Sequence, residues 1–239
     1  MTHTLLHQVL VSDLVVPIGL AGPLDTMPAT GAGAVLANDT WLSPDLIVDR
    51  DTGAPLLAVE VTTEASREVD LGAKKDMYER YEVPSYWVVD LKGDEPEVQV
   101  FELSDDGRYA EEARVTWGRS CTLSSPFPIE LAPDQIFDRL PRRAAPRRGI
   151  MDNATRTGPD LPHCEDPILI DAFGHRWPTG AEKVELWDGC PVFYGEWDER
   201  DVAIAERAYP GRVVRLDQPP GEPGTMTILP GPGVPTEDT

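Results

Sequence analysis

What this chain lacks narrows its reading before anything it contains. Cysteine is scarce: Cys121, Cys164 and Cys190 are the only three in 239 residues. They are odd in number, widely spaced and form no C-x-x-C. Neither a disulfide framework nor a zinc pattern is encoded. Unpaired thiols of this kind fit a reducing cytoplasm. Histidine adds little, because His163, Cys164, His175 and Cys190 match no standard ligand spacing. Positive charge is also short, with 21 Lys and Arg against 42 Asp and Glu and a formal net charge of −21. That balance disfavours sequence-independent attraction to a polyphosphate. A nucleic-acid surface here must be small, or a metal ion must supply its positive charge. No uninterrupted apolar run reaches the ~18 residues of a membrane span. The N-terminal run is apolar, yet it has no basic leader and Asp13 breaks it, so it does not read as a signal peptide.

The residues present spell an α/β protein of mixed α+β type. Residues 4–20 begin as a helix and turn β-rich toward Pro17 and Gly19. Residues 21–40 read as loop around a short strand at 34–37. Strands are expected at 43–49, 56–62, 84–91, 97–103 and 109–115, from apolar and β-branched runs bounded by turn residues. Leu71, Met77, Tyr78 and Tyr81 stand at helical spacing within 66–82, and 132–140 reads as a short helix. A helix between strands 56–62 and 84–91 makes a crossover, so those two strands should be parallel. Residues 1–140 are expected as one domain. Residues 141–162 are rich in Pro and Arg, with arginines at 142, 143, 147 and 148, and read as a linker. Residues 163–230 are expected as a small C-terminal α/β unit. It should hold a strand at 167–173, a hairpin turned at Asp188 and Gly189, a helix over 198–209 capped by Asp198, and strands at 212–217 and 225–229. Residues 231–239 are expected to be a disordered tail.

Glu60 poses the chemical question. It sits inside LLAVEVT, a segment that otherwise reads as buried strand. An ionised carboxylate buried without a partner is costly enough that it pairs or stays protonated. Asp45 lies on the preceding strand, across a turn, and can face the same point. Two carboxylates that close ionise together only with a cation between them. Oxygen donors of this type suit Mg²⁺ (or Mn²⁺), which needs only one or two protein carboxylates. Asp45 and Glu60 are therefore the candidate metal ligands. Asp70, Lys74 and Tyr78 follow at i, i+4 and i+8 and share one helix face. Lys74 could stabilise a phosphate oxygen or the attacking water, with Asp70 orienting it. Tyr86 and Trp87 read as core aromatics, and His7 as a packed or exposed helix residue.

These pieces, taken in order, resemble the Uma-two family of restriction endonucleases, within the PD-(D/E)XK nuclease superfamily. The resemblance rests on Pro44-Asp45, Glu60-Val61-Thr62-Thr63, Asp70-Leu71-Gly72-Ala73-Lys74 with Tyr78, and Val83-Pro84-Ser85-Tyr86-Trp87-Val88-Val89-Asp90. It covers about residues 5–140. It implies a mixed sheet flanked by helices and metal-dependent hydrolysis of DNA phosphodiesters. Catalytic roles would fall to Asp45, Glu60 and Lys74, with Asp70, Tyr78 and Thr62 in support. Thr62 stands where the superfamily has the lysine of E-x-K, and Lys74 would replace it from the next helix. Family members begin with a helix and an E-L-x-x-G hairpin before the region matching His7 to Leu14, and this chain starts too late for that. Glu185-Leu186-Trp187-Asp188-Gly189 repeats that hairpin pattern in the C-terminal unit. DNA is the expected substrate. A second copy of the chain and a protein bound through 163–230 are further open partners, and a catalytically inactive scaffold is the rival reading.

Overall fold

The computed structural model describes residues 5–50, 55–63, 66–90, 97–137, 160–174, 181, 183–195, 197–218 and 224–232. The chain opens with helix α1 (Leu5–Ala21), then β1 (Thr26–Thr30), β2 (Ala34–Ala37) and β3 (Thr40–Leu42). Strands β4 (Leu46–Arg50) and β5 (Pro55–Thr62) lead into a helix built in three pieces. An α turn at Arg67–Val69, a π turn at Asp70–Lys74 and an α segment at Lys75–Arg80 together form α2. Next come β6 (Ser85–Asp90), β7 (Glu97–Leu103), β8 (Tyr109–Val115), β9 (Cys121–Leu123), β10 (Ile129–Leu131) and α3 (Pro133–Ile136). The C-terminal stretch holds α4 (Ile170–Phe173), β11 (Lys183–Trp187), β12 (Cys190–Gly195), α5 (Glu199–Ala208), β13 (Val213–Asp217) and β14 (Gly224–Leu229).

The chain divides into two compact units. One unit takes the described residues of His3–Ala34 and Ser43–Ala145. Its six-stranded sheet runs β1-β4-β5-β6-β7-β8. Only β5 and β6 are parallel, with Glu60 beside Val88, as the intervening helix predicts. The architecture is the mixed α/β one expected. Alternation along the strands sorts the side chains. Leu46, Val48, Leu57, Val59, Val61, Trp87 and Val89 turn to one face and bury against Leu10, Val11, Leu14 and Ile18 of α1.

That stripe explains a departure from the sequence reading. Half of residues 11–18 are β-branched and read as strand-like, yet they continue the helix. The propensity penalty for Val and Ile is a few tenths of a kcal/mol each. Burying one such side chain is worth about 1.5–3 kcal/mol, so packing decides. Strand β1 falls within the stretch that its Gly, Pro and Ala content, Pro28 included, marks as loop. It is an edge strand, paired only with β4, where a missing N–H costs no ladder bond.

The other unit holds Val35–Leu42 together with the described residues of Pro146–Thr239. Its six-stranded sheet runs β13-β14-β12-β11-β3-β2. The expected single stretch 1–140 is thus interrupted: β3 joins β11 through Trp41 and Leu186. Main-chain bonds fasten the same segment, from Ile170 N to Asn38 O (3.0 Å) and from Gly189 N to Asp39 O (2.7 Å). Strand pairing of this sort is non-local, so no local pattern announces it. The hairpin turns at Asp188 (φ 48°) and Gly189 (φ 75°), the two left-handed residues of a type I′ turn. Asp198 caps α5 through a capping box with Asp201. The strand expected at 167–173 is instead a short helix, α4. There Phe173 N donates to Leu169 O and Gly174 N to Ile170 O, and the turn buries Ala172 and Phe173.

The expected linker up to residue 159, its arginines, His175 and residues 233–239 lie outside the described residues. No helix among the described residues is long and apolar enough to cross a membrane.

Candidate active site

Antiparallel pairing of β4 with β5 sets Leu46 opposite Val59. Continued by one residue, that register brings Asp45 opposite Glu60, and directly opposed residues point to the same face. The register thus sets the two acids on one face of the sheet.

Each acid is anchored by hydrogen bonds. Asp45 Oδ2 accepts the Val61 backbone N–H at 2.8 Å and lies 3.1 Å from His7 Nε2. Glu60 Oε1 accepts from Lys74 Nζ at 3.0 Å and from the Tyr78 hydroxyl at 3.5 Å. Glu60 is 1 % exposed and Lys74 0 %, so this is an ion pair removed from water. Lys74 also lies 3.3 Å from Asp70 Oδ1, its i−4 neighbour. One ammonium thus bridges two buried carboxylates. The π turn at Asp70–Lys74 carries both ends of that pair. Single π turns inside α-helices are rare, and they concentrate at functional sites.

Aromatic side chains close this face. The rings of Tyr78 and Tyr86 are 5.0 Å apart, and Tyr86 stacks toward Phe101 at 6.3 Å. The Tyr86 hydroxyl donates to the Asp70 carbonyl at 2.9 Å. Burial, then the negative charges of Glu60 and Asp70, hold its phenol well above the ordinary tyrosine range. It therefore stays a donor.

Glu60, Lys74, Asp70 and Tyr78 are thus linked in one strand-and-helix constellation, with Asp45 opposite Glu60 across the strand pair. Thr62 is fully buried but turns to other partners: its hydroxyl meets Ser66 Oγ at 2.9 Å and donates to Thr63 O at 3.2 Å. That contact ties the end of β5 to the start of α2, so Thr62 braces the chain beside the acids. Arg67 pairs with Asp90 at the neighbouring strand end, with Arg67 one-third exposed.

His7 is the residue that sequence reasoning set aside. It is 1 % exposed and reaches Asp45 from α1. The signal was available: His7 precedes Leu10, Val11 and Leu14 by three, four and seven positions, on the buried stripe. Among the described residues, no group of three or more His, Cys, Asp or Glu side chains forms a metal cage. Another buried acid lies in the other unit. Glu185 Oε2 accepts from Tyr194 at 2.6 Å and Trp187 at 2.9 Å, with Lys183 3.6 Å from Oε1.

Residues 34–137 match a family model described as "Uma2: Putative restriction endonuclease". The resemblance read from the motifs is thereby borne out over that stretch. Among solved structures, the chain is similar to a crystal structure described as a "putative nuclease belonging to DUF820 from Anabaena variabilis". The two are 11% identical, with 55% of this chain and 80% of that one covered and a TM-score of 0.39. No curated protein matches the chain.

Proposed function

We propose, from a chain whose residues 34–137 match the Uma2 restriction-endonuclease family, that the protein is a metal-dependent endonuclease acting on DNA phosphodiesters. The observation that carries this reading is the placement of Asp45 opposite Glu60, with the buried Lys74 ammonium on Glu60. The donor set fits a hard divalent cation. Both groups are carboxylates, and the strand register sets them on one face of the sheet. Two protein carboxylates are what Mg²⁺ commonly takes, keeping water for its other positions. Asp45 and Glu60 would hold Mg²⁺ or Mn²⁺. When bound, the ion would supply charge stabilisation and a more acidic water.

The chain's own residues do the rest. Val61 N–H and His7 fix the Asp45 rotamer. Lys74, fully buried, balances the charge of Glu60 and holds its side chain in place. Asp70 holds Lys74 from one helical turn away. A locally placed cation also answers the net charge of −21, because the grip on DNA then rests on the site and not on the whole surface.

The test uses the full-length protein with supercoiled plasmid and Mg²⁺ or Mn²⁺. Nicking or linearisation is expected, and it should disappear in Asp45→Asn and Glu60→Gln. Calorimetry should show the cation binding wild type and not Asp45→Asn. Absence of both cleavage and cation binding refutes the reading.

One observation favours a second reading. Lys74 is fully buried between two acids that are themselves 1–2 % exposed, a closed pairing that serves folding as well as catalysis. A nuclease fold kept as a scaffold, with residues 163–230 binding a protein, would look the same there. That reading predicts no cation heat in the calorimeter and no cleavage.

A further inference from the structure

Near the two acids stands a cation that the reaction proposed above does not use. Arg67 opens α2, and its backbone is fastened to the end of β5. Arg67 N donates to Thr63 O at 3.0 Å, and Thr63 N donates to Ser66 Oγ at 3.1 Å. Thr62 Oγ1 meets the same Ser66 Oγ at 2.9 Å. The guanidinium is held at one corner only, where Nε donates to Asp90 Oδ2 at 2.5 Å. Among the described residues, Nη1 and Nη2 make no hydrogen bond. Neither of them is shut away from water. The Arg67 side chain is 35 % exposed and that of Asp90 5 %, so the anchor is buried while the far end of the fork is open.

Strand register decides which face this cation serves. In the parallel pair, Glu60 stands beside Val88 and Thr62 beside Asp90. Asp90 is two residues past Val88, so it points to the face of Glu60. The opposite face, with Val59, Val61, Trp87 and Val89, is the one packed by α1. One strand across and two residues along places the Asp90 backbone about 8 Å from that of Glu60. Arg67 therefore sits on the catalytic face, at the ends of β5 and β6. Glu68, its exposed neighbour, does not share its side of the helix, because positions i and i+1 diverge.

We propose that Arg67 grips a backbone phosphate of the DNA next to the phosphodiester that is cut, with Asp90 holding the guanidinium in position. The assignment rests on the nuclease reading above. A guanidinium anchored through Nε still presents two terminal nitrogens in one rigid plane, which suits two oxygens of one phosphate. Anchoring in advance also reduces the rotamer freedom that a loose arginine loses on binding. In a chain of net charge −21, contacts with DNA have to be local. A phosphate contact positions the strand without reading its sequence. It is made equally before and during the reaction, so it acts on KM and leaves kcat alone.

The test measures initial nicking rates of supercoiled plasmid by the full-length protein with Mg²⁺, over a range of plasmid and NaCl concentrations. Arg67→Gln should raise KM about tenfold, as expected for the loss of one charge-assisted phosphate contact, with kcat unchanged. The slope of log KM against log [NaCl] should fall by about one, because one phosphate is no longer neutralised. Arg67→Lys should restore that slope but only part of KM, since it keeps the charge and loses the fork. Arg114→Gln is the control. Register puts Arg114 on the same face, across from Gln99 and Val88. Its guanidinium is comparably exposed but already bound by Glu97, Glu111 and Gln99, so KM and slope should hold. Wild type offers a measure that needs no variant. In a duplex with a mapped cut, a neutral methylphosphonate at one flanking position should raise KM about as much as Arg67→Gln, and the two should not add. The proposal is overturned if Arg67→Gln lowers kcat alone, as a merely structural loss would. It is equally overturned if the slope matches wild type, if Arg114→Gln shifts it as far, or if no flanking methylphosphonate matters. Those outcomes in a wild type that cuts leave the nuclease reading standing, whereas a wild type that does not cut overturns both.

Discussion

Replacing Lys74 with Met is the sharpest test of the buried charge network. Methionine nearly matches the lysine stem in volume, so packing is kept and only the ammonium is lost. In the native chain that ammonium lies 3.0 Å from Glu60 Oε1 and 3.3 Å from Asp70 Oδ1. At an effective dielectric constant of about 20, each contact is worth roughly 5 kcal/mol of Coulomb attraction. Much of this is offset by the cost of burying the lysine, which the variant recovers. Breaking a buried pair from one side typically costs about 3–5 kcal/mol, because the partner charge stays behind. Here two carboxylates are stranded, so the upper half of that range is expected. Urea unfolding followed by circular dichroism measures it. A double-mutant cycle with Glu60→Gln isolates the pair. Neutralising Glu60 in the Lys74→Met background should return part of the loss, giving a coupling of about 1–3 kcal/mol. A loss under ~1 kcal/mol, or additivity in the cycle, would mean that water reaches the pair and that the buried network adds little to stability.

Three further outcomes are expected. Tyr86 should ionise only when the chain unfolds, because burial and two nearby acids raise its pKa above the ordinary 10.0. A raised folded-state pKa means stability is intact below about pH 10. It should fall as pH climbs further, where the unfolded chain releases the proton and the folded chain keeps it. Unfolding free energies measured across the alkaline range check the sign, and a flat profile contradicts it. Asp198→Ala removes the acceptor for Arg200 N and Asp201 N at the start of α5, and should cost about 1 kcal/mol of stability. The same loss from Asp198→Gly would argue against capping as the cause. Gly189→Ala should be more severe. The residue sits at φ +75°, and a Cβ would come within 2.3 Å of Pro167 Cβ. Thermal melts should fall clearly, because the Ile168 N–H bond to the Gly189 carbonyl is disturbed as well.

Much of the first unit could be read from the chain alone. Strands at 97–103 and 109–115 fall where apolar alternation put them. The parallel pairing of β5 and β6 followed from a helix between two strands. Asp70, Lys74 and Tyr78 share a face because helical spacing dictates it, and the intervening π turn leaves Lys74 on Asp70. Glu60 was conspicuous because a lone acid in an apolar strand requires a partner, and Lys74 and Tyr78 are there.

What the sequence determined by itself is therefore local: periodicities of two and 3.6, a capped helix, a type I′ turn, and an acid too buried to stand alone. Tertiary structure decided the rest, because those choices depend on partners far along the chain. His7 became a contact of Asp45 only when α1 packed across the sheet, 38 positions away. Residues 35–42 left their neighbours to extend the other unit's sheet, since an unpaired strand edge satisfies its backbone groups wherever a free edge is offered. The β-branched half of α1 stayed helical because burial of four side chains outweighs weak local preference. Arg212 came to donate to the His163 and Asp166 carbonyls, 49 and 46 positions back, an arrangement that no spacing along the chain records.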